Sequence, residues 1–248
     1  MRIAMFTAGA VLCCATGVPA AVITLTPVAD TYVSSANPTT AQGSMATVVA
    51  NNGSTTTNYR WVYLRFDVGA ALAANAATFA DVTGIKLTLQ SVTAGALVES
   101  VYGLPAANDS WTEAALTMSN DPNKDTTVAS KPVFDVTKAY SNGTTNVLAT
   151  WTSRATAGSE DAFNVASGPV FDYIGADADK VLTFVIAADR NTGAGGVAWA
   201  SREATSSATW PTLTLLTTPA PEPGTIGLLG TAAAGLLVRR RRTVAARA

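Results

Sequence analysis

Apolar residues in this chain recur at every second position, in one short stretch after another. Through 59–68, Val62, Leu64, Phe66 and Val68 fall on one side of an extended chain, and Tyr59, Trp61, Tyr63, Arg65 and Asp67 on the other. Ile85, Leu87 and Leu89 oppose Lys86, Thr88 and Gln90 in the same way. Comparable stretches at 22–26, 45–50, 97–104, 181–186, 197–201 and 212–216 join these two as strands, separated by clusters of Gly, Asn, Ser, Thr and Pro. Helical periodicity is nearly absent; the alanine-rich 70–80 stretch lacks a cap and reads as a loop or one short helix. Many half-buried strands and no internal repeat predict an all-β fold, a single β-sandwich of jelly-roll type over residues 21–217.

The two ends read differently. Met1-Arg2 supplies positive charge, residues 3–18 an apolar stretch and Val18-Pro19-Ala20 a small-residue site, the pattern of a signal peptide over 1–20, cut after Ala20 by signal peptidase. Cys13 and Cys14, the chain's two cysteines, both lie inside it. A lipoprotein reading is weaker, because Leu12 and Cys13 stand where a small residue is needed. Residues 218–248 hold a short linker with Pro219, then Pro221, Glu222, Pro223 and Gly224, an apolar segment over 225–238, and Arg239, Arg240, Arg241 and Arg242. As a helix, 224–238 spans about 22 Å, short of the ~30 Å hydrocarbon core, so it is a marginal transmembrane anchor with its arginines on the cytoplasmic side. The prolines hold the chain extended in front of it. This order of rigid tripeptide, apolar run and arginine block resembles the PEP-CTERM sorting signal. The resemblance implies processing by exosortase, transient inner-membrane anchoring, and a destination at the cell surface or extracellular biofilm matrix of a Gram-negative bacterium. An ordinary membrane tail with an incidental Pro-Glu-Pro is the alternative.

Composition then narrows the chemistry. The chain has no histidine, and the mature part no cysteine, which excludes Ser-His-Asp and Cys-His catalysis and histidine- or thiolate-ligated metal. Carboxylate chemistry of the glycosidase kind, a tyrosine- or lysine-based lyase, or no catalysis remains. Residues 21–220 hold 10 basic and 16 acidic side chains, a net charge of −6 against −1 for the whole chain. Nucleic acid is not an expected partner for such a body.

A second resemblance runs through that body. Ala29-Asp30-Thr31-Tyr32-Val33, Tyr63-Leu64-Arg65-Phe66-Asp67, Ile85-Lys86-Leu87, Asp109-Ser110-Trp111-Thr112-Glu113 with Leu116-Thr117 and Asn120-Asp121-Pro122, Phe134-Asp135-Val136-Thr137, and Ala200-Ser201-Arg202-Glu203-Ala204 with Pro211-Thr212-Leu213 resemble, in order, the DNRLRE domain, also classed as carbohydrate-binding module family 96. The resemblance implies a jelly-roll module that binds extracellular polysaccharide, with alginate held by basic side chains in characterised members. Met118 stands where a second Trp is expected. A body at −6 gains no general steering towards a polyanion, so a neutral or calcium-bridged glycan is an equal expectation.

Candidate glycan contacts are Tyr59, Trp61 and Tyr63, whose rings could stack on sugars, and Arg60, Arg65, Lys86 and Arg202, whose charges could hold carboxylates or hydroxyls. The alternative buries the aromatic row in a core and makes Arg65 and Arg202 salt-bridged staples, with Asp67 and Glu203 as acidic neighbours. Trp111 and Trp210 read as core, with Trp151 and Trp199 open. Carboxylates at Asp121 and Asp125, at Glu160 and Asp161, and at Asp172, Asp177 and Asp179 are either solvated loops or ligands for structural Ca²⁺. No catalytic residue and no certain cofactor is expected. The functional readings are a glycan-binding surface module, a structural matrix or adhesion protein that binds no sugar, and, last, a carboxylate-based polysaccharide-degrading enzyme.

Overall fold

Eleven strands and two short helices account for the regular structure of the computed structural model, which describes residues 21–53, 58–125, 127, 132–153, 156–188 and 195–218. The expected signal peptide and sorting tail lie outside the described residues, and among the described residues no helix is long and apolar enough to cross a membrane. The strands are β1 (Ala21–Leu25), β2 (Ala29–Ser34), β3 (Thr47–Asn52), β4 (Arg60–Asp67), β5 (Val82–Gln90), β6 (Val98–Leu104), β7 (Ala149–Thr152), β8 (Glu160–Val165), β9 (Val181–Ala188), β10 (Gly195–Ala200) and β11 (Thr212–Thr217). They form two antiparallel sheets. One has the order β1-β11-β5-β8; the other runs β10-β3-β4-β9-β6-β7, with β2 also paired to β4.

Setting aside β2, β3 and β10 leaves 1-11-5-8 facing 4-9-6-7. Eight strands in two four-stranded sheets, with the first strand beside the last, are the β-sandwich of jelly-roll type that the alternation predicts. The period of two is what fills it. Val62, Leu64 and Phe66 of β4 meet Ile85, Leu87 and Leu89 of β5, Leu213 and Leu215 of β11, and Leu182, Phe184 and Ile186 of β9 in one buried cluster. Neither sheet could bury this surface alone, so the facing apolar sides hold the two together.

A third layer covers the outer side of the larger sheet. Val33, Tyr59, Trp61, Tyr63 and Val185 pack beneath Trp111, Leu116, Met118, Val133, Phe134 and Ala139 as a second buried cluster. The covering segment lies between 105 and 139, and its described residues hold no strand, only short 3-10 turns at Ala106–Asn108 and Val136–Lys138. Met118, 3% exposed, therefore fills a core position rather than a sugar-facing one, a place where an unbranched side chain serves well.

The helices mark places where the sequence reading differs from the fold. The helix α1 (Val68–Ala74) starts earlier than the alanine-rich stretch and does carry a cap, since Asp67 Oδ1 accepts from the Ala70 amide at 2.8 Å. The helix α2 (Pro169–Ala176) was not expected; Pro169 opens it after Gly168, whose φ of 90° only glycine adopts freely. Its Tyr173 lies flat over Gly103 of β6, with its hydroxyl between the carbonyls of Leu104 and Thr183, both at 3.0 Å. A Cβ at Gly103 would stand 2.7 Å from three ring carbons of Tyr173. Gly103→Ala is expected to cost about 1–3 kcal/mol of stability through overpacking, measured by urea unfolding.

Candidate functional site

The larger sheet's outer face is built on β4. Tyr59, Trp61 and Tyr63 share a side as alternation requires, but they are 6%, 2% and 0% exposed. An open stacking platform is thus not what they form; the 105–139 segment lies over them. The carboxylate that fastens this cover is Asp121, itself 6% exposed. Trp61 Nε1–H donates to its Oδ2 at 3.0 Å, the Tyr63 hydroxyl to its Oδ1 at 2.9 Å, and the Asn123 amide to Oδ1 at 2.8 Å. Burial pushes the Asp121 carboxyl above the usual range, against the pull of these donors. Indole and phenol groups cannot be buried cheaply without partners, so the aromatic row needs Asp121 beneath the cover.

Two residues further along the same face, Arg65 is a staple rather than an exposed glycan contact. Its guanidinium pairs with Asp109, donates to the Trp111 carbonyl at 3.2 Å and lies 4.3 Å above the Trp111 ring. Arg65 Nε also donates to Thr183 Oγ1 on β9 at 3.2 Å, and that hydroxyl donates to Asp109 at 2.9 Å. The acidic partner is therefore Asp109 and not the neighbouring Asp67, which is occupied in capping α1. Trp111 is core, as expected.

The near end of the row reaches a cavity. Tyr59, Arg60 and Trp61 border a groove of about 460 Å³, with Asn51 and Asn52 from the end of β3 on one wall. Tyr102 of β6 and Phe134 of the covering segment form another part of its lining, their rings 4.9 Å apart and tilted by 42°. Asp125 and Asp135 supply carboxylates at the covering-segment side. Arg60 is half-buried and steadied from behind, with Nε 3.3 Å from Ser34 Oγ and its charge 5.9 Å from the centre of the Tyr32 ring. Ring edges, side-chain amides and a few charges in a concavity of this size suit a small stretch of a hydroxyl-rich ligand.

The model of carbohydrate-binding module family 96 matches residues 21–156, more than half of the 248-residue chain. The chain belongs to that family. The PEP-CTERM protein-sorting motif matches residues 219–242. The protein is thus exported, with a C-terminal sorting tail processed at the membrane by exosortase, and carries a module of a carbohydrate-binding family. No curated protein matches the chain. The family match ends before the 200–204 and 211–213 segments quoted above.

Within this family 96 module, the remaining candidates lie away from the groove. Lys86 projects from β5 in the smaller sheet and pairs with Glu160 at 2.7 Å, both partly exposed. Arg202 follows β10, bonds Glu203 at 3.0 Å and stands 4.0 Å from Glu113. So the seven glycan candidates do not make one site: Tyr59, Arg60 and Trp61 border the groove, while Tyr63, Arg65, Lys86 and Arg202 do not. Sequence reading missed Asn51, Asn52, Tyr102 and Phe134, because they come from separate strands and from an aperiodic segment.

The acidic stretches also separate. Asp121 is buried under the aromatic row, Asp125 turns back on Thr127, Asp161 accepts from the Trp199 indole at 2.8 Å, and Asp172 meets Asn142 at 3.2 Å. Asp177 and Asp179 shape the turn around Lys180, accepting from the Lys180 and Val181 amides. Trp199 is fully buried, and Trp151 stacks on Phe163 at 5.6 Å. Trp210 is half-buried, its indole donating to the Ala204 carbonyl at 2.9 Å.

Proposed function

We propose that this exported module binds an extracellular polysaccharide in the groove bordered by Asn51, Asn52, Arg60, Tyr102 and Phe134, and holds it to the cell surface or biofilm matrix. The observation that carries the reading is a concave site of aromatic edges and amides on a module of family 96. A neutral glycan suits it better than a polyanion. The body carries −6, and among the described residues Asp125 and Asp135 face the same groove as Arg60. The reading is non-catalytic: with neither histidine nor cysteine in the mature chain, the groove offers no nucleophile–base pair of the common kinds.

Retardation of the purified protein in gels cast with neutral and acidic polysaccharides, with and without Ca²⁺, tests this. Arg60→Ala is expected to weaken retention roughly tenfold, the worth of one lost charge-assisted hydrogen bond, with folding intact. Lys86→Ala, on the other sheet, is expected to leave retention unchanged. The covered aromatic row favours a second reading, a structural matrix protein that binds no sugar. Free migration through every gel would leave only that one. Release of reducing ends or of unsaturated uronate would instead make the protein an enzyme.

A further inference from the structure

Three carboxylates far apart in sequence meet at the edge of the larger sheet. Asp30 of β2, Glu113 of the covering segment and Glu203 in the turn after β10 bring carboxylate oxygens within 4.8 Å of one another. Asp30 is 1% exposed. Arg202 threads between them and takes one oxygen from each of two. Its amide donates to Asp30 Oδ2 at 2.8 Å, and its Nε to Glu203 Oε1 at 3.0 Å. The other oxygens, Asp30 Oδ1 and Glu203 Oε2, are buried and have no hydrogen-bond partner. Unpartnered buried carboxylate oxygens are costly, and two carboxylates facing each other are costlier still.

Charge and packing point the same way. Three carboxylates and one guanidinium leave a formal −2, which one divalent cation cancels. The Glu113 side chain packs closely on the 42–45 turn, where a Cβ at Gly43 would come within 2.5 Å of its Cγ. Ser201 Oγ donates to the Met45 carbonyl of that turn at 2.6 Å, so the segment bearing Glu203 is tied to the same wall. The ligands thus converge from segments that the fold already fixes.

We propose that Asp30, Glu113 and Glu203 form a binding site for one divalent cation, Ca²⁺, which locks β2, the covering segment and the turn after β10 together. All ligand atoms are hard oxygens. Three carboxylates from separate segments, Asp30 buried and the two glutamates half-buried, select Ca²⁺ over Mg²⁺, because Mg²⁺ keeps its waters and demands a strict octahedron, whereas Ca²⁺ accepts carboxylates from separate loops in looser geometry. The site lies apart from the groove and involves none of its lining. Glycan binding and cation binding are separate claims.

Chelator-stripped protein titrated with CaCl₂ by calorimetry is expected to take up one Ca²⁺ per chain. Thermal unfolding is expected to shift upwards by about 5–10 °C at a hundredfold excess over Kd. Both responses are expected to vanish in Glu113→Gln and in Glu203→Gln, and to persist in Asp172→Asn, an exposed control. Calorimetry on the unsubstituted protein stands even where a variant folds poorly: no uptake of Ca²⁺ overturns the site. Uptake undiminished in both glutamine variants overturns the ligand assignment, and an equal response to Mg²⁺ overturns the choice of ion.

Discussion

Asp109→Ala is expected to lower the free energy of unfolding by about 3–5 kcal/mol, the cost of leaving a partly buried guanidinium without its counter-ion. Among the described residues Arg65 forms its ion pair with Asp109: its remaining bonds go to the Asp109 and Trp111 carbonyls and to Thr183, and its face is closed by the Trp111 ring. Burial lifts the Asp109 carboxyl above the usual range while the Arg65 charge draws it back. The pair joins β4 and β9 to the start of the covering segment. Its loss should loosen the layer over Tyr63 as well as the pair itself. Urea midpoints with unchanged m measure the effect. In an Arg65→Ala background the same substitution is expected to cost far less, since no charge is left stranded. A loss below about 1 kcal/mol for Asp109→Ala alone would put the pair among solvent-screened surface bridges.

Stability is expected to fall as pH rises from about 4.5 to about 8, by an amount on the order of 4 kcal/mol from one residue. That residue is Glu99 of β6, fully buried and pushed up to about 8 by burial, against the donors of Ser153. Ser153 donates its amide to Glu99 Oε2 at 3.2 Å, and Asp161 on β8 adds a repelling charge from the facing sheet. Below pH ~4.5 the carboxyl is neutral both folded and unfolded. Between the two values only the unfolded chain ionises, so the folded state holds the extra proton and stability drops with rising pH; above about 8 the loss is complete. Asp30, also pushed up to about 8 by burial, adds to the slope when the cation is absent. The difference between the protein and its Glu99→Gln variant, by urea unfolding from pH 4 to 9, isolates Glu99. Equal slopes in the two would remove Glu99 as the cause.

How much of this was legible depends on which elements carry their own signal. The strands β4, β5, β9 and β11 announce themselves because every second residue is apolar and each faces the core. β2 does not. Its sequence ADTYVS is polar at three of its six positions, yet Asp30, Thr31 and Ser34 are all buried, because the strand is enclosed by segments distant in sequence. β8, with Glu160 and Asp161 at its start, and β7 were hidden for the same reason. The helix α2 is short, and its commitment comes from Tyr173 finding the gap over Gly103, a contact with β6 that no local pattern encodes.

The sequence by itself determined the all-β class, the two faces of β4, the chemistry closed off by missing histidine and cysteine, and the sorting tail, because composition, period and contiguous motifs are local properties. Only the tertiary structure decided that Tyr59, Trp61 and Tyr63 lie under a cover fastened by Asp121, that Arg65 serves Asp109, and that the groove and the carboxylate triad form where they do. Covering, pairing and convergence are relations between segments 44 to 172 positions apart. The packing of two sheets brings such segments together, and no run of neighbouring residues records it.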